Sequence, residues 1–257
     1  MNSFFQDIRR TLRNPWFFVS VLITILTLWL GLGDYSYRIL HIHIEGISIA
    51  WLDGIQTALS AQIATIALPT LSALPFAANA FLEIYTGASR MAVFRAGSQA
   101  YCRGKAVTCC LSGMLIQLLA LCGFVLLLYL FSLRANTLDL DLPIQAMKND
   151  VRALFPSLKS LLTLWPCFLD HIVCAGVWAC IGGSMALLTK TSMAAYVGPM
   201  MISFCLSFIR TRFQADLAFL SLSTGSTAMS NAALAVLLLI SVNLFYRILK
   251  WEIKKHA

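Results

Sequence analysis

The sequence predicts an all-α membrane protein with six transmembrane helices, an amphipathic interfacial helix before the first of them, and both termini in the cytoplasm. Three observations predict this fold class. Hydrophobic residues make up 59% of the chain and charged residues only 12%, which is too apolar for an ordinary water-soluble domain. Six stretches approach the about 20 apolar residues that a membrane-spanning helix needs. The basic residues are concentrated in the segments that this arrangement places in the cytoplasm.

Each predicted span is a long apolar run with polar or charged residues at its ends. The six spans lie near residues 15–33, 58–82, 106–131, 167–188, 191–209 and 228–246. No internal repeat or long linker divides the chain. We therefore expect one transmembrane domain over residues 1–257.

The first 14 residues predict an amphipathic helix that lies on the membrane surface. Its apolar side falls at helical spacing on Phe4, Phe5, Ile8 and Leu12, and polar and basic residues occupy the opposite side. Asn14 and Pro15 then provide an N-cap and a proline at the first helical position. These two residues predict that the chain restarts there as the first span.

The net charge of +8 is distributed unevenly over this topology. With the amino terminus inside, the cytoplasmic segments hold 12 of the 19 basic residues but only three of the 11 acidic residues. This asymmetry fits the positive-inside rule and attraction to anionic lipid headgroups. We interpret the basic excess as orientation in the lipid bilayer, and we expect no nucleic-acid partner.

Residues 83–105 form a hydrophilic connector between the second and third predicted spans. One acid, Glu83, is followed by four basic residues, Arg90, Arg95, Arg103 and Lys105, so the connector is predicted to be cytoplasmic. Glu83 ends an apolar span and is expected to be partly desolvated. We expect it to pair with an arginine or lysine of the next helix.

The connector also contains a short apolar segment. Gly87 and Gly97 delimit it, and Met91 and Phe94 are among its apolar residues. Such a segment could lie along the membrane surface and present an apolar contact to a soluble partner. Tyr101 and Lys105 follow at positions typical of interfacial anchors.

These features resemble the integral-membrane permeases of ATP-binding-cassette transporters of the type-2 exporter class. In that family the connector between the second and third spans carries an acid, a glycine one turn later, basic residues, and a tyrosine and a lysine that enter the third span. The matching positions here are Glu83, Gly87, Arg90, Tyr101 and Lys105. The amphipathic helix before the first span is a second similarity, and the six-span layout covers nearly the whole chain.

The resemblance implies an exporter permease in a cell membrane, in this class the bacterial cytoplasmic membrane, that works as a homodimer or heterodimer with two separate ATP-binding subunits. Residues 83–105 would couple the chain to those subunits through Glu83, Gly87, Arg90, Met91, Phe94 and Arg95. The chain lacks the phosphate-binding pattern G-x-x-x-x-G-K-[ST]. ATP and Mg would therefore bind to the partner, with no cofactor on this chain. The substrate could be a small peptide, an antibiotic or an amphiphile.

Two spans contain polar or helix-bending residues that could line a substrate pathway. The second span carries Gln62, Pro69, Pro75 and Asn79, and the last span carries Asn231. Two prolines predict a kinked helix whose freed carbonyl groups need partners. A kink of this kind either lines a pathway or is buried by neighbouring helices, and the sequence leaves both possibilities open.

Two further groups of residues keep other functions open. His41, His43 and Glu45 alternate in the first outward loop, either as candidate metal ligands or as the polar side of an outer strand. Asp170 and His171 begin the fourth span, as a proton relay or as residues favoured at a helix start. The rival functions are a membrane-embedded hydrolase or transferase, and a non-enzymatic ion-driven carrier or toxin-immunity protein.

Overall fold

The computed structural model describes residues 2–33, 51–137, 165–213 and 228–256, and every regular element in those ranges is a helix. The prediction of an all-α chain is confirmed for this part of the protein. In chain order the helices are α1 (Asn2–Arg13), α2 (Pro15–Gly31), α3 (Trp51–Ser60), α4 (Gln62–Ala73), α5 (Asn79–Tyr85), α6 (Ala88–Ala96), α7 (Ser98–Thr137), α8 (Trp165–Thr189), α9 (Ala194–Phe213) and α10 (Ala228–His256).

Three of these helices are long and apolar enough to cross a membrane. They are Ser98–Phe131 within α7, Trp165–Thr189, and Ala233–Lys255 within α10. Phe5–Arg13 and Pro15–Gly31 make a fourth if the pair, bent by 62°, is counted as one span. These helices are compatible with a multi-pass membrane protein. The number of six spans stays a prediction.

The junction of α1 and α2 forms at the residues that the sequence indicated. Asn14 has extended backbone angles, and its side-chain oxygen accepts a hydrogen bond from the Trp16 backbone N–H at 3.1 Å. Pro15 occupies the first position of α2, where its missing N–H costs no helical hydrogen bond. The 62° bend follows from this restart and separates the amphipathic helix from the apolar one.

The predicted second span, residues 58–82, is not one continuous helix. Its residues fall on α3, α4 and α5, each shorter than the about 20 residues that a span needs. Pro69 lies inside α4, and Pro75 lies in the turn over residues 74–78 that separates α4 from α5. The sequence predicted a kink here, and the structure places two interruptions, because the chain also leaves the helical conformation at Ala61.

Helix α8 lies at the centre of the described helices and contacts α4, α7, α9 and α10. Its glycines allow these close approaches. A Cβ atom at Gly182 would lie 2.5 Å from the Ala195 carbonyl oxygen, and one at Gly183 would lie 2.8 Å from the Phe245 ring. Small residues at these two positions therefore let α8 pack closely against its neighbours.

Candidate functional site

A buried ion-paired cluster joins three helices at the base of the connector. Lys105 of α7 directs its Nζ to Glu83 Oε1 of α5 at 2.7 Å and to Asp7 Oδ1 of α1 at 3.0 Å. The Lys105 side chain is only 3% exposed. Because an isolated buried ammonium is very costly, these two carboxylates are what allows Lys105 to be buried with its charge.

Glu83 accepts two further contacts that complete the cluster. Tyr101 donates its hydroxyl hydrogen to Glu83 Oε2 at 2.8 Å, and Arg10 directs Nη1 to Glu83 Oε1 at 3.4 Å. Tyr101 and Lys105 are four residues apart on α7, so they lie on the same side of that helix. We call Asp7, Arg10, Glu83, Tyr101 and Lys105 the polar cluster.

Aromatic rings and a backbone contact support the polar cluster. Lys105 Nζ lies 5.2 Å from the centre of the Phe76 ring and 5.7 Å from that of Tyr101, within the range of cation–π attraction. Asn14 donates an Nδ2 hydrogen to the Pro75 carbonyl oxygen at 3.2 Å. The start of α2 is thereby tied to the turn that leads into α5.

Asp7 is the cluster member whose proton affinity shows the effect of burial. Desolvation raises the pKa of the Asp7 carboxyl above its usual 3.8, while the charge and hydrogen bond of Lys105 act in the opposite direction. Nearby Glu83 adds repulsion that also raises this pKa. Burial is therefore the larger effect on Asp7, even with an ammonium 3.0 Å away.

The connector helix α6 is bounded by two glycines with positive φ. Gly87 has φ 76° and Gly97 has φ 80°, values that side chains other than glycine rarely adopt. Ala92 and Val93 of α6 pack against the hydrophobic core. On its outer side Phe94 is 92% exposed and Met91 is 67% exposed. The predicted glycine-delimited segment is confirmed, and it presents two large apolar side chains to the outside.

A cavity of about 1370 Å³ opens between α1, α5, α6 and α7. The residues around it include members of the polar cluster together with Asn79, Met91 and Arg95. The cavity therefore brings together residues predicted separately as coupling, anchor and pathway positions. We call it the basic cavity.

The predicted coupling and anchor residues lie in two places, some in the polar cluster and some on the exposed side of α6. Glu83 pairs with Lys105 of α7, the helix that contains the third predicted span. The sequence predicted this pairing with a cation of that span. Tyr101 and Lys105 are buried and contact Glu83 within the protein. The sequence predicted both residues as anchors at the membrane interface, whereas in the structure their polar atoms bind a protein carboxylate. Arg90 and Arg95 lie exposed on α6.

The predicted pathway residues lie on α4, α5 and α10 and in the turn after α4. Pro69 and Pro75 are buried in α4 and in the turn after it, and half-buried Asn79 begins α5 at the basic cavity. Gln62 lies on α4 and Asn231 on α10. Among Pro69, Pro75 and Asn79, whose side chains the structure describes, Asn79 lines the cavity.

Of the two residue groups linked to rival functions, the structure describes only Asp170 and His171. His41, His43 and Glu45 lie outside the described residues. Asp170 and His171 lie near the start of α8, and among the described residues neither ring nitrogen of buried His171 has a hydrogen-bond partner. In the same ranges no three His, Cys, Asp or Glu side chains are grouped to hold a metal ion.

Sequence reasoning missed three participants. Asp7 and Arg10 were assigned only to the polar side of the surface helix, and Phe76 was not singled out. One signal was available, because Asp7 is the only acid among the first 33 residues. An isolated acid on a basic helix indicates a specific partner, but its identity 98 positions later depends on the fold.

Comparison with known proteins found no match to this sequence. No family model matches the sequence, and no curated protein or solved structure matches it significantly.

Proposed function

We propose that this chain is the membrane-spanning permease subunit of an ATP-driven exporter of the type-2 cassette class. The observation that carries the proposal is the form of the connector. A short helix bounded by glycines presents Phe94 at 92% exposure, while its opposite side packs on the core. An exposed phenylalanine beside exposed Met91 is a typical apolar contact for a soluble partner.

The polar cluster supports a coupling role for the connector. Gly87 and Gly97 separate α6 from its neighbours, while Glu83 just before it is ion-paired with α7 and hydrogen-bonded to Tyr101. A force applied to α6 by a partner would therefore reach α5 and α7 together. ATP and partner binding would shift an inward-open and outward-open equilibrium through contacts that differ between the two states.

The topology belongs to the same proposal. Six spans, with both termini in the cytoplasm, place Arg95 and α6 on the side where ATP is available. Three helices are each long and apolar enough to be a span, and α2 is the apolar part of the bent pair that makes a fourth. The interrupted segment α3–α5 and α9, whose apolar part is Ala194–Leu206, supply the remaining two. An interrupted span is tolerated in a membrane where neighbouring helices or a water-filled pathway satisfy its backbone.

Energy and substrate complete the proposal. ATP and Mg bind to a separate cassette ATPase, and this chain carries no cofactor and is not itself an enzyme. Two permease copies, or this chain and a related one, form the pathway at their interface in a cell membrane, with Gln62, Pro69, Pro75, Asn79 and Asn231 as its lining. The substrate is a small peptide, an antibiotic or an amphiphile.

Replacement of Phe94 tests this function. Phe94→Asp buries a carboxylate in the contact with the ATPase, which costs several kcal/mol, so ATPase co-purification and substrate-stimulated ATP hydrolysis are expected to be lost. Met193→Asp is the matched control. Met193 is also a large exposed apolar residue, 71% exposed, but it lies just before α9, where an acid is favoured.

Both variants must first insert into the membrane at the wild-type level. The proposal fails if the wild-type chain purified from its native host hydrolyses ATP without a second polypeptide. It also fails if Phe94→Asp retains the ATPase as well as Met193→Asp does.

A further inference from the structure

Three arginines at the basic cavity have no ionic partner in the described part of the protein. Arg9 and Arg13 belong to α1 and Arg95 belongs to α6, and all three are exposed. The ion pairs that the structure shows at this cavity are made by Arg10 and Lys105. Three guanidinium groups therefore surround one cavity without protein carboxylates to neutralise them.

The acids of the same cavity are already occupied. Asp7 contacts Lys105, and Glu83 contacts Lys105, Tyr101 and Arg10. Among the described residues around the cavity, these are the two acids, against five basic residues. Since Lys105 and Arg10 neutralise these carboxylates, the remaining positive charge is available to an anion from outside the protein.

Another part of the lining is apolar. Leu82, Met91 and Ala92 line the cavity. Leu82 and Met91 remain 43% and 67% exposed. An inorganic anion would leave these apolar side chains uncovered. A ligand with an anionic head and hydrocarbon chains would cover them while its head contacts the arginines.

The position of the cavity identifies the source of such a ligand. It lies beside the amphipathic α1, directly before the apolar α2 begins at Pro15, which is where the headgroup layer meets the hydrocarbon core. We propose that the basic cavity binds the headgroup of an anionic phospholipid, through Arg9, Arg13 and Arg95. This lipid would connect α1 to α6, and the site does not depend on the proposed transport function.

Lipid titration of the full-length chain tests this site. The protein is purified in neutral detergent and titrated with dioleoyl phosphatidylglycerol or dioleoyl phosphatidylcholine, and bound lipid is counted by native mass spectrometry. The wild type is expected to prefer phosphatidylglycerol. The cavity triple variant is Arg9→Gln/Arg13→Gln/Arg95→Gln. We expect its affinity for phosphatidylglycerol to fall on the order of a hundredfold, because each basic residue near an anionic surface contributes about fivefold.

A second triple variant controls for net charge. The control variant is Arg103→Gln/Arg247→Gln/Lys254→Gln, which removes the same charge from exposed positions that do not line the cavity. We expect it to keep the wild-type preference for phosphatidylglycerol over phosphatidylcholine. Equal loss of phosphatidylglycerol binding in both triple variants would overturn the proposal, because the effect would then be one of net charge alone.

Two further measurements separate the remaining outcomes. Inorganic phosphate at matched ionic strength should not displace the lipid, and displacement would show an anion site without lipid selectivity and overturn the proposal. If the cavity triple variant fails to fold by circular dichroism, Arg13→Gln and Arg95→Gln are measured singly, each with an expected loss of about fivefold. Wild-type affinity in both single variants would count against the site.

Discussion

Lys105 is the residue on which the polar cluster depends. Its ammonium is the shared partner of Asp7 and Glu83. Lys105→Met keeps most of the side-chain volume but leaves two partly buried carboxylates facing each other. Loss of one partner of a buried ion pair typically costs about 3–5 kcal/mol, so we expect the apparent free energy of unfolding in detergent to fall by that amount.

The control for Lys105→Met is Lys254→Met. Lys254 is exposed on α10 and lies outside the polar cluster, and a substitution of that kind changes stability by about 0.5 kcal/mol or less. Equal unfolding curves for the two variants would show that the buried ion pairs do not stabilise the protein.

Asp7 predicts a pH dependence with a definite sign. Because burial raises the pKa of Asp7 above 3.8, the folded state binds this proton more tightly than the unfolded state. The stabilisation is present below pH 3.8 and is lost as pH rises through the folded-state pKa. Relative to Asp7→Asn, the wild type is therefore expected to lose stability as pH increases across this window.

Thermal unfolding of both proteins between pH 3.5 and 7 measures the difference. Asp7→Asn should be at least as stable as the wild type at pH 7, because the amide carries no charge to desolvate, its oxygen still accepts from Lys105, and Lys105 keeps Glu83 as its ion-pair partner. A wild type that gains stability over the variant as pH rises would show that the ion pair outweighs burial.

Whether the sequence predicts a side-chain contact depends on how far apart the two residues lie in the chain. The pairing of Glu83 with a cation of the next helix was predictable, because both residues belong to one connector and one topology. The contact between Asp7 and Lys105 joins positions 98 residues apart. It requires the bend at Asn14 and the turn at Pro75 to be correct together, which no local pattern specifies.

At the scale of helices, Gly87 and Gly104 provide a matched pair of substitutions. A Cβ atom at either position meets nothing within 4 Å, so packing does not distinguish them. Gly87 has φ 76° while Gly104 is inside α7. We expect Gly87→Ala to destabilise by about 1–2 kcal/mol through backbone strain and Gly104→Ala to stabilise by about 0.5–1 kcal/mol.

Thermal unfolding in detergent measures both alanine variants against the wild type. Phe94 exposure to a soluble quencher, through a Phe94→Trp reporter, checks whether Gly87→Ala also changes the connector helix. If both alanine variants shift stability in the same direction, the left-handed conformation at Gly87 is not what bounds α6.

Element boundaries were predictable where a residue type dictates the backbone. Asn14, Pro15, Gly87 and Gly97 each fulfil such a role, and the helices begin or end beside them. The break at Ala61 carries no comparable signal, because alanine is the best helix former. Its backbone angles, φ −59° and ψ 136°, nevertheless interrupt the helix. Since no residue type at this position indicates the interruption, the second span was predicted as one kinked helix.

At the scale of the whole molecule, the orientation of the chain is the prediction on which the others depend. The distribution of positive charge predicts that the amino terminus, Arg95 and the carboxy terminus are cytoplasmic and that His43 and Lys148 are external. Single-cysteine labelling with an impermeant thiol reagent tests this in intact cells. The background needs Cys122, Cys167 and Cys205 changed to serine, because the other five cysteines are buried.

In that background, Lys148→Cys is expected to react in intact cells, while Arg95→Cys is expected to react only after the membrane is permeabilised. The pair is informative because six spans put an even number of crossings between Arg95 and the amino terminus and an odd number between Arg95 and Lys148. Labelling of Arg95→Cys from outside would place α6 away from ATP and remove the basis for a coupling role. Labelling of both positions only after permeabilisation would keep α6 inside but require a topology with fewer than six spans.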